Sequence, residues 1–306
     1  MADLGKAYVQ IIPSAKGIKG NVEKELNNEM GDAGKKAGDF FSGGFGKVLK
    51  TTGKVALAAS AAVATGIGII TKQAVSNYAE YEQLVGGVET LFKGSADKVM
   101  QYAADAYKTA GMSANDYMTN VTSFSASLLQ SLGGDTEKAA EVANRAMIDM
   151  SDNANKMGTN MEAITNAYQG FAKQNYTMLD NLKLGYGGTK SEMERLIADS
   201  AALTDVQKEL GITVDANDMS FGNIVNAISV MQASMGIAGT TSAEALGTIS
   251  GSLNMTKAAW DNLLTGIANP NADLGKLIGD LVTSATAAVQ NLLPVIQQAL
   301  LGIVEF

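Results

Sequence analysis

The stretch SANDYMTNVTSFSASLLQSLGG, residues 113–134, decides the fold class of this chain. It begins with Ser113 and has Asp116 three residues later, the spacing at which a side-chain cap starts a helix. It ends at Gly133 and Gly134, a pair that favours a helix stop. Between these signals, apolar residues recur at the period of one helix face: Val121, Phe124, Leu128 and Leu132. The stretch therefore predicts a capped amphipathic helix.

The same signals continue over residues 86–265. A second helix is predicted from about Thr136, with these residues facing inward: Ala139, Val142, Ala146 and Met150. Further caps are predicted at Ser191, Thr204 and Thr241, each with Glu or Gln three residues later. The chain has only three prolines, which break helix interiors, and no convincing strand pair. We therefore predict a mainly-α fold, a succession of roughly eight to ten helices with little or no sheet.

The composition excludes several kinds of catalytic and metal-binding site. The chain has no histidine and no cysteine. Disulfide frameworks, Cys/His zinc sites, cysteine nucleophiles and Ser-His-Asp triads are therefore excluded. Two carboxylate pairs, Glu80/Glu82 and Glu192/Glu194, invite an acid/base interpretation, but residues two apart on a helix diverge, so a solvated face is favoured. We expect no enzymatic activity, no cofactor and no metal site.

Two loops have the composition of ligand-binding motifs. GYGGTKS, residues 185–191, has Thr189 between Gly188 and Lys190, which departs from the phosphate-loop spacing. DANDMSFG, residues 215–222, has Ser220 at the sixth position, where a calcium loop needs glycine. We therefore predict a turn before an N-capped helix in the first case and an ordinary loop in the second.

The charge is acidic but unevenly distributed. The chain has 31 acidic and 23 basic residues, a net charge of −8, which disfavours broad or specific nucleic-acid binding. Residues 1–54 are mildly basic, with nine lysines against six carboxylates. Because six glycines lie within residues 31–46, we predict a flexible Gly/Lys-rich arm over residues 1–50. No secretory signal peptide is apparent at the start.

A long helix, apolar and then amphipathic, is predicted near residues 51–83, within a segment 51–85. Its first part, KVALAASAAVATGIGIITK at residues 54–72, has 17 uncharged residues between two lysines. As a helix they span about 25 Å, against a hydrocarbon core of about 30 Å. Three interpretations of this segment stay open: tight packing against other helices, residence in a bilayer, and insertion into a bilayer after release from packing. The candidate packing or membrane-interacting residues are Ala58, Ser60, Ala62, Ala64, Gly66, Ile67, Gly68, Ile69 and Ile70.

Residues 266–306 form an apolar C-terminal segment. From Leu281 to Val304 there are 24 residues without a charge, and the sequence stops two residues later. We expect this segment to be the truncated end of a longer protein.

Three stretches resemble the N-terminal region of phage tail tape measure proteins from tailed phages and prophages of Gram-positive bacteria. They are AYVQIIPSAKGIKG at residues 7–20, SNYAEYEQLVGGVETLF at 76–92, and the text from YKTAGMSANDYMTN at Tyr107 to KSEMERLI at Ile197. An apolar Ala/Gly helix just before YAEYEQ is also typical of that family. The resemblance covers most of residues 1–265 and marks 86–265 as an α-helical, tape-measure-like domain.

The resemblance implies a structural role in the phage tail. Such proteins are extended helical rods, several copies of which lie in the lumen of the tail tube and set its length. The implied partners are the tail tube protein, tail assembly chaperones and tail tip proteins. The implied locations are the host cytoplasm during assembly, the virion, and the host membrane on ejection, when the rod leaves ahead of the DNA.

This chain is shorter than is usual for the family. Wholly helical, 306 residues reach only about 460 Å. The long measuring section is not present, so length determination by this piece alone is not expected. The alternative from a different class is a membrane-active, pore-forming helical protein whose helices shelter an apolar segment.

Overall fold

The computed structural model of the chain describes residues 60–304, with side chains from residue 72 to residue 295. Residues 1–59 lie outside this part, and with them the arm predicted over residues 1–50. Residue contacts divide the chain into two units at Gly68, and the helices from Ile69 onward make up the second unit. The domain boundaries predicted at residues 85 and 265 remain predictions.

The described residues are mainly α-helical, as predicted, and no strand occurs between residues 60 and 304. Short 3-10 helices occupy Lys93–Ser95 and Leu179–Leu182. Eleven α-helices follow one another in this part of the chain: α1 Ser60–Phe92, α2 Ala96–Thr109, α3 Ala114–Ser131, α4 Thr136–Met157, α5 Met161–Phe171, α6 Lys190–Ala202, α7 Thr204–Leu210, α8 Phe221–Ser234, α9 Thr240–Glu244, α10 Ile249–Ala268 and α11 Leu274–Val304.

Helix α3 forms where the opening stretch predicts it. The Ser113 hydroxyl accepts a hydrogen bond from the Asp116 amide at 3.2 Å, which confirms the cap. Gly133 and Gly134 follow the helix with φ of 67° and 84°, a left-handed conformation that glycine adopts without steric cost. The predicted apolar face is buried at Val121, Phe124 and Leu128 and partly buried at Leu132.

Helix α4 lies at the centre of the second unit and contacts α2, α3, α5, α8 and α9. Its inward positions are small or flexible residues that are fully buried: Ala139, Ala140, Ala143, Ala146, Met147 and Met150. Alanines allow neighbouring helices to approach closely, and unbranched methionines fill the irregular space that remains. Beside α4, Phe124 of α3 meets Phe221 of α8 edge to face at 5.8 Å between ring centroids.

Helix α1 continues nine residues beyond the predicted end at residue 83. Gly86 and Gly87 lie within it and do not stop it. Val88 and Phe92, in the last two turns, are fully buried in the main core. Burial of these two side chains therefore offsets the cost of about 1 kcal/mol that each glycine adds to a helix interior.

Helices α10 and α11 form an antiparallel hairpin that includes much of the predicted C-terminal segment. Near its open end, the Asn291 side-chain amide donates to the backbone oxygens of Leu246 and Thr248 at 2.9 and 3.0 Å. Tyr107 of α2 joins this hairpin in a second, smaller apolar cluster, separate from the main core. The hairpin therefore has its own small core.

The caps predicted at Ser191 and Thr204 are wrong. Helix α6 begins at Lys190, because Thr189 accepts the Glu192 amide at 3.3 Å before Ser191 is reached. Helix α7 follows Leu203, with no side-chain cap bond. Side-chain caps depend on the φ/ψ angles of one residue, which the preceding loop decides.

Candidate functional site

The predicted packing and membrane-interacting residues lie at the edge of the described part. Ala58 is outside it. The eight others have a helical backbone at the start of α1, but their side chains are outside the described residues: Ser60, Ala62, Ala64, Gly66, Ile67, Gly68, Ile69 and Ile70. Among the helices from residue 60 to residue 304, none combines the length and apolar character that crossing a membrane requires. The packing or membrane-interacting role of these residues stays a prediction.

The structure reveals a polar group that the sequence analysis missed, inside the core and on one face of α4. Arg145, Asp149, Asp152 and Asn153 are spaced by four, three and one residues, so they lie along one side of the helix. Both carboxylates and Asn153 are buried. We call these four residues the α4 polar seam. The α4 polar seam faces α5, α8 and α9. The inward alanines of α4 alone would not fix the register of these three helices against α4.

Asp149 is the most deeply perturbed acid of the seam. The Ser229 hydroxyl of α8 donates a hydrogen bond to its carboxylate. Burial raises the pKa of Asp149 to about 7, although the Ser229 bond and the nearby Arg145 guanidinium oppose that rise. Tyr168 of α5 lies close enough for the Asp149 charge to contribute to its raised pKa, behind the larger effect of burial. Asp149 is therefore an acid that titrates near neutral pH in a closed environment.

Arg145 connects the seam to α8. Its Nη2 donates to the Asn226 side-chain oxygen at 2.7 Å. Burial lowers the pKa of Arg145, and the charges of Asp149 and Glu141 counter this effect. Its Nε has no hydrogen-bond partner among the described residues. Arg145 is partly buried, and removing its charge would leave the buried Asp149 carboxylate without its nearest cation.

Asp152 caps a helix that lies 87 residues away in sequence. Its two carboxylate oxygens accept the Gly239 amide at 2.6 Å and the Thr241 amide at 2.8 Å. The cap predicted at Thr241 is therefore wrong, because α9 has no side-chain cap of its own and takes one from α4. Burial raises the pKa of Asp152, while these amide bonds oppose the rise. The carboxylate satisfies two of the amides that every helix start leaves open.

The remaining seam contacts fix loops. Asn153 donates from its side-chain amide to the Leu182 carbonyl at 2.8 Å, and its own side-chain oxygen has no partner among the described residues. Within the part of the chain that the structure describes, the Tyr168 hydroxyl of α5 and the Gln232 side-chain amide of α8 are also buried without a hydrogen-bond partner. Each unpaired buried group costs free energy, whereas the bonds that Arg145, Asp149 and Asn153 make join α4 to α8 and to the Leu182 carbonyl.

Surface pockets among the described residues offer no comparable cluster. An open groove of about 400 Å³ runs between α3 and α5, with Asp116, Glu162 and Thr165 among its lining residues. Residues 60–304 contain no group of three His, Cys, Asp or Glu side chains that could hold a metal ion. The groove is formed where two helices start side by side, so its carboxylates are first-turn residues that favour the helix dipole.

The other tested motifs have structural contacts of their own. Glu192 binds Arg195 at 2.6 Å and accepts the Gly187 amide at 3.0 Å, whereas Glu194 pairs with Lys190 at 3.4 Å. The two carboxylates therefore diverge, in agreement with the sequence analysis. The 185–191 loop is a turn before α6, as predicted. A Cβ on Gly188 would lie 2.3 Å from the Thr177 carbonyl oxygen, which explains a glycine there.

The α4 polar seam, the α10–α11 hairpin and the helix caps all fix how helices pack against one another. Comparisons with known proteins found no matching family model, no similar curated protein and no similar solved structure.

Proposed function

We propose that this chain is a structural component of a phage tail, the N-terminal portion of a tape measure protein that lies in the tail tube lumen. In this role it contributes to tail assembly and leaves the tube ahead of the DNA on infection. The observation that carries the proposal is an all-helical segment, residues 60–304, that begins with a 33-residue helix and includes the text resembling that family.

The packed core supports a structural role within that proposal. The resemblance implies an extended rod, yet the helices from α2 to α8 share one buried core. A folded unit at one end of a rod presents fixed surfaces, which suits contact with the tail tip or with assembly chaperones. We therefore assign these helices to contact with partners rather than to length measurement.

The proposal includes the membrane only at ejection. The apolar start of α1, over residues 60–71, consists mainly of small and β-branched residues. This composition suits close packing against other helices in the assembled tail and exposure to the membrane at ejection. The proposed partners during assembly are the tail tube protein, the assembly chaperones and further copies of this chain. Localisation then follows from assembly: host cytoplasm, then virion, then host membrane.

The experiment is a deletion in a phage or prophage that encodes this chain, with purified particles examined by electron microscopy and mass spectrometry. We expect peptides of the chain in tails from the unmodified phage, and tails that are absent or of aberrant length after deletion. Supply of the intact chain from a plasmid should restore the tails. Supply of the exposed variant Leu210→Ala is the matched control and should restore them equally, because Leu210 is 38% exposed.

Normal tails after deletion, combined with particles that lack the chain, would contradict the proposal. Vesicle leakage distinguishes the alternative class. If the full chain alone makes vesicles leak while tails assemble without it, the pore-forming interpretation is favoured instead.

A further inference from the structure

The open groove of about 400 Å³ lies between residues 112–120, at the start of α3, and residues 161–169 of α5. We call it the α3–α5 groove, and its volume is within the range of ligand pockets, about 300–1,000 Å³. The described residues that line it supply two carboxylates, three side-chain amides, two thioethers and one hydroxyl, and no basic side chain. This set of groups suits a positively charged ligand that also forms hydrogen bonds.

The two carboxylates lie on opposite walls of the groove. Asp116 belongs to α3 and Glu162 to α5, both are exposed, and neither forms a salt bridge with another described residue. One Asp116 oxygen accepts the Ser113 hydroxyl at 2.7 Å. Beside the α3 wall, burial and then the Asp116 charge raise the pKa of Asp261, and Lys257 opposes that rise. Negative charge therefore prevails at the groove, in a chain whose net charge is −8.

A buried hydroxyl without a hydrogen-bond partner lies on the α5 wall, one helical turn after Met161. Thr165 lines the groove and is 6% exposed, and its Oγ1 has no partner among the described residues. Thr122 and Thr256, also within helices, instead donate to the carbonyl oxygen four residues earlier, each at 2.7 Å. A buried hydroxyl that lacks a partner costs free energy, which a bound group recovers. The helix dipoles account for the carboxylates of the groove but not for this hydroxyl.

Two methionines give the groove an adaptable apolar part. Met112 precedes α3, Met161 is the first residue of α5, and both line the groove. Because Thr165 Oγ1 is itself buried, a bound group reaches it only after a neighbouring side chain moves. Unbranched methionine side chains change rotamer readily and pack well on methylene groups. They therefore suit a ligand that carries its charge at the end of an aliphatic stem, as lysine does.

Three side-chain amides suit recognition of a peptide backbone. Asn120 lies on the α3 wall, and Asn166 and Gln169 lie on the α5 wall. Each amide has two donors and an acceptor, which match the N–H and C=O groups of an extended peptide. A free polyamine has the ammonium group and the stem but no peptide groups for these amides. The groove is therefore better matched to a lysine within a peptide than to a small cation.

We propose that the α3–α5 groove binds an extended, lysine-bearing segment of a partner protein. The lysine ammonium binds Asp116 and Glu162, one on each wall. Its stem packs on Met112 and Met161, and the Thr165 hydroxyl bonds to the backbone of the same segment. Lysine fits better than arginine, because a guanidinium prefers both oxygens of one carboxylate, whereas these carboxylates come from separate helices. Since exposed charge pairs contribute little each, the binding is weak and reversible.

Methionine-methyl NMR of the full chain tests the proposal, because Met112 and Met161 are two of 15 methionines and the others act as internal controls. The probes are the acetylated and amidated peptide Gly-Ala-Lys-Ala-Gly and the same peptide with norleucine in place of lysine. We expect the lysine peptide to shift the methyl signals of Met112 and Met161 and to leave that of Met193, on α6, unchanged. The norleucine peptide keeps the stem without the charge and should bind at least about threefold more weakly.

Two substitutions separate peptide binding from folding. Glu162→Gln should weaken binding of the lysine peptide at least about threefold, whereas Glu209→Gln, at an exposed carboxylate on α7, is the matched control and should leave it unchanged. Thr165→Val should weaken binding by a similar factor without lowering the melting temperature, because the hydroxyl that it removes has no partner among the described residues.

Three results would overturn the proposal: no shift of the Met112 and Met161 signals at about 10 mM peptide, equal affinity for the two peptides, or unchanged binding by both Glu162→Gln and Thr165→Val. Spermidine is the third probe. If it shifts these two signals and the lysine peptide does not, the proposal also fails and the groove is assigned to a free polyamine.

This inference goes beyond the tail proposal and does not rest on it. A chain that binds the lysine peptide in the α3–α5 groove but is missing from tails would keep the first and contradict the second. Tails that need the chain, with no binding of the peptide to the wild-type chain, would do the reverse.

Discussion

Asp149 is a carboxylic acid inside the main apolar core. The groups that face it are Arg145 and Asp152 on its own helix, Tyr168 on α5 and Ser229 on α8. Its pKa is raised to about 7, mainly by burial, above the value of about 4 expected in the unfolded chain. Folding therefore favours the protonated acid.

We predict that Asp149→Asn stabilises the chain at pH 7 to 8 and not at pH 4. The raised pKa means that the protonated acid contributes fully below about pH 4 and that this contribution is lost as the pH rises through about 7. An amide stays neutral throughout, so the gain in the free energy of unfolding should grow with pH to at most about 4 kcal/mol. Chemical unfolding at a series of pH values measures it.

The exposed variant Glu209→Gln is the control for that series and should follow the wild type. A constant difference between Asp149→Asn and the wild type from pH 4 to pH 8 would show that Asp149 does not titrate in this range.

Sequence reasoning found the apolar residues of the core but not its polar ones. Val121 and Leu128 are recognisable because they recur at the helical period. Arg145 and Asp149 are also at helical spacing, but charged residues four apart on a helix are usually a solvated pair. Only the packing of α5 and α8 buries Asp149 and partly buries Arg145, and that packing joins residues far apart in the chain. The α4 polar seam therefore had no local signal.

At the scale of elements, the helices differ in what starts them. Helix α3 has its own cap at Ser113, and the sequence predicts it correctly. Helix α9 has five residues, Gly239 at its start and no side chain of its own to accept its first amides. Its cap was predicted wrongly because a cap supplied by Asp152 from another helix leaves no pattern near α9.

We predict that Asp152→Asn destabilises the chain by about 1–3 kcal/mol, because one of the two backbone amides, of Gly239 or Thr241, then faces an NH₂ group at a buried side chain. The change should be local at first. Limited proteolysis should cut within residues 236–248 sooner than in the wild type, before the α3–α4 region is attacked. Asp205→Asn, whose side chain is 97% exposed, is the control.

If Asp152→Asn unfolds at the same denaturant concentration as Asp205→Asn, the amide bonds from Gly239 and Thr241 contribute no net stability.

At the scale of the whole molecule, the second unit has two apolar clusters of unequal size. The main core joins α1 to α8, whereas the smaller cluster lies under α10 and α11. Hydrogen bonds join the hairpin to helices of the main core: the Tyr107 hydroxyl of α2 donates to the Asp280 carboxylate of α11 at 2.8 Å, and the Ala114 amide of α3 donates to the Asn262 side-chain oxygen of α10 at 2.8 Å. Regions with less buried apolar area open more readily, so the hairpin should be the weaker part.

We predict that amide hydrogen exchange is faster in α10 and α11 than in α3 and α4. Tyr107→Phe should widen the difference, because removing a hydrogen bond to a carboxylate costs about 1–3 kcal/mol. Protection in residues 274–290 should then fall while α3 and α4 keep theirs. Tyr102→Phe, on the same helix, is the control, because Tyr102 only packs against the edge of the main core. Uniform exchange across both clusters would mean that they unfold as one unit.

The hydrogen bond between Asp152 of α4 and the start of α9 also affects when α9 forms during folding. A helix whose first amides are held by a carboxylate 87 residues earlier gains nothing from that carboxylate until the chain between them has closed. The nascent α9 is too short to persist alone. It should therefore be a late product of folding, acquired after α4 has already found its neighbours, and among the first structures to melt when the chain is heated.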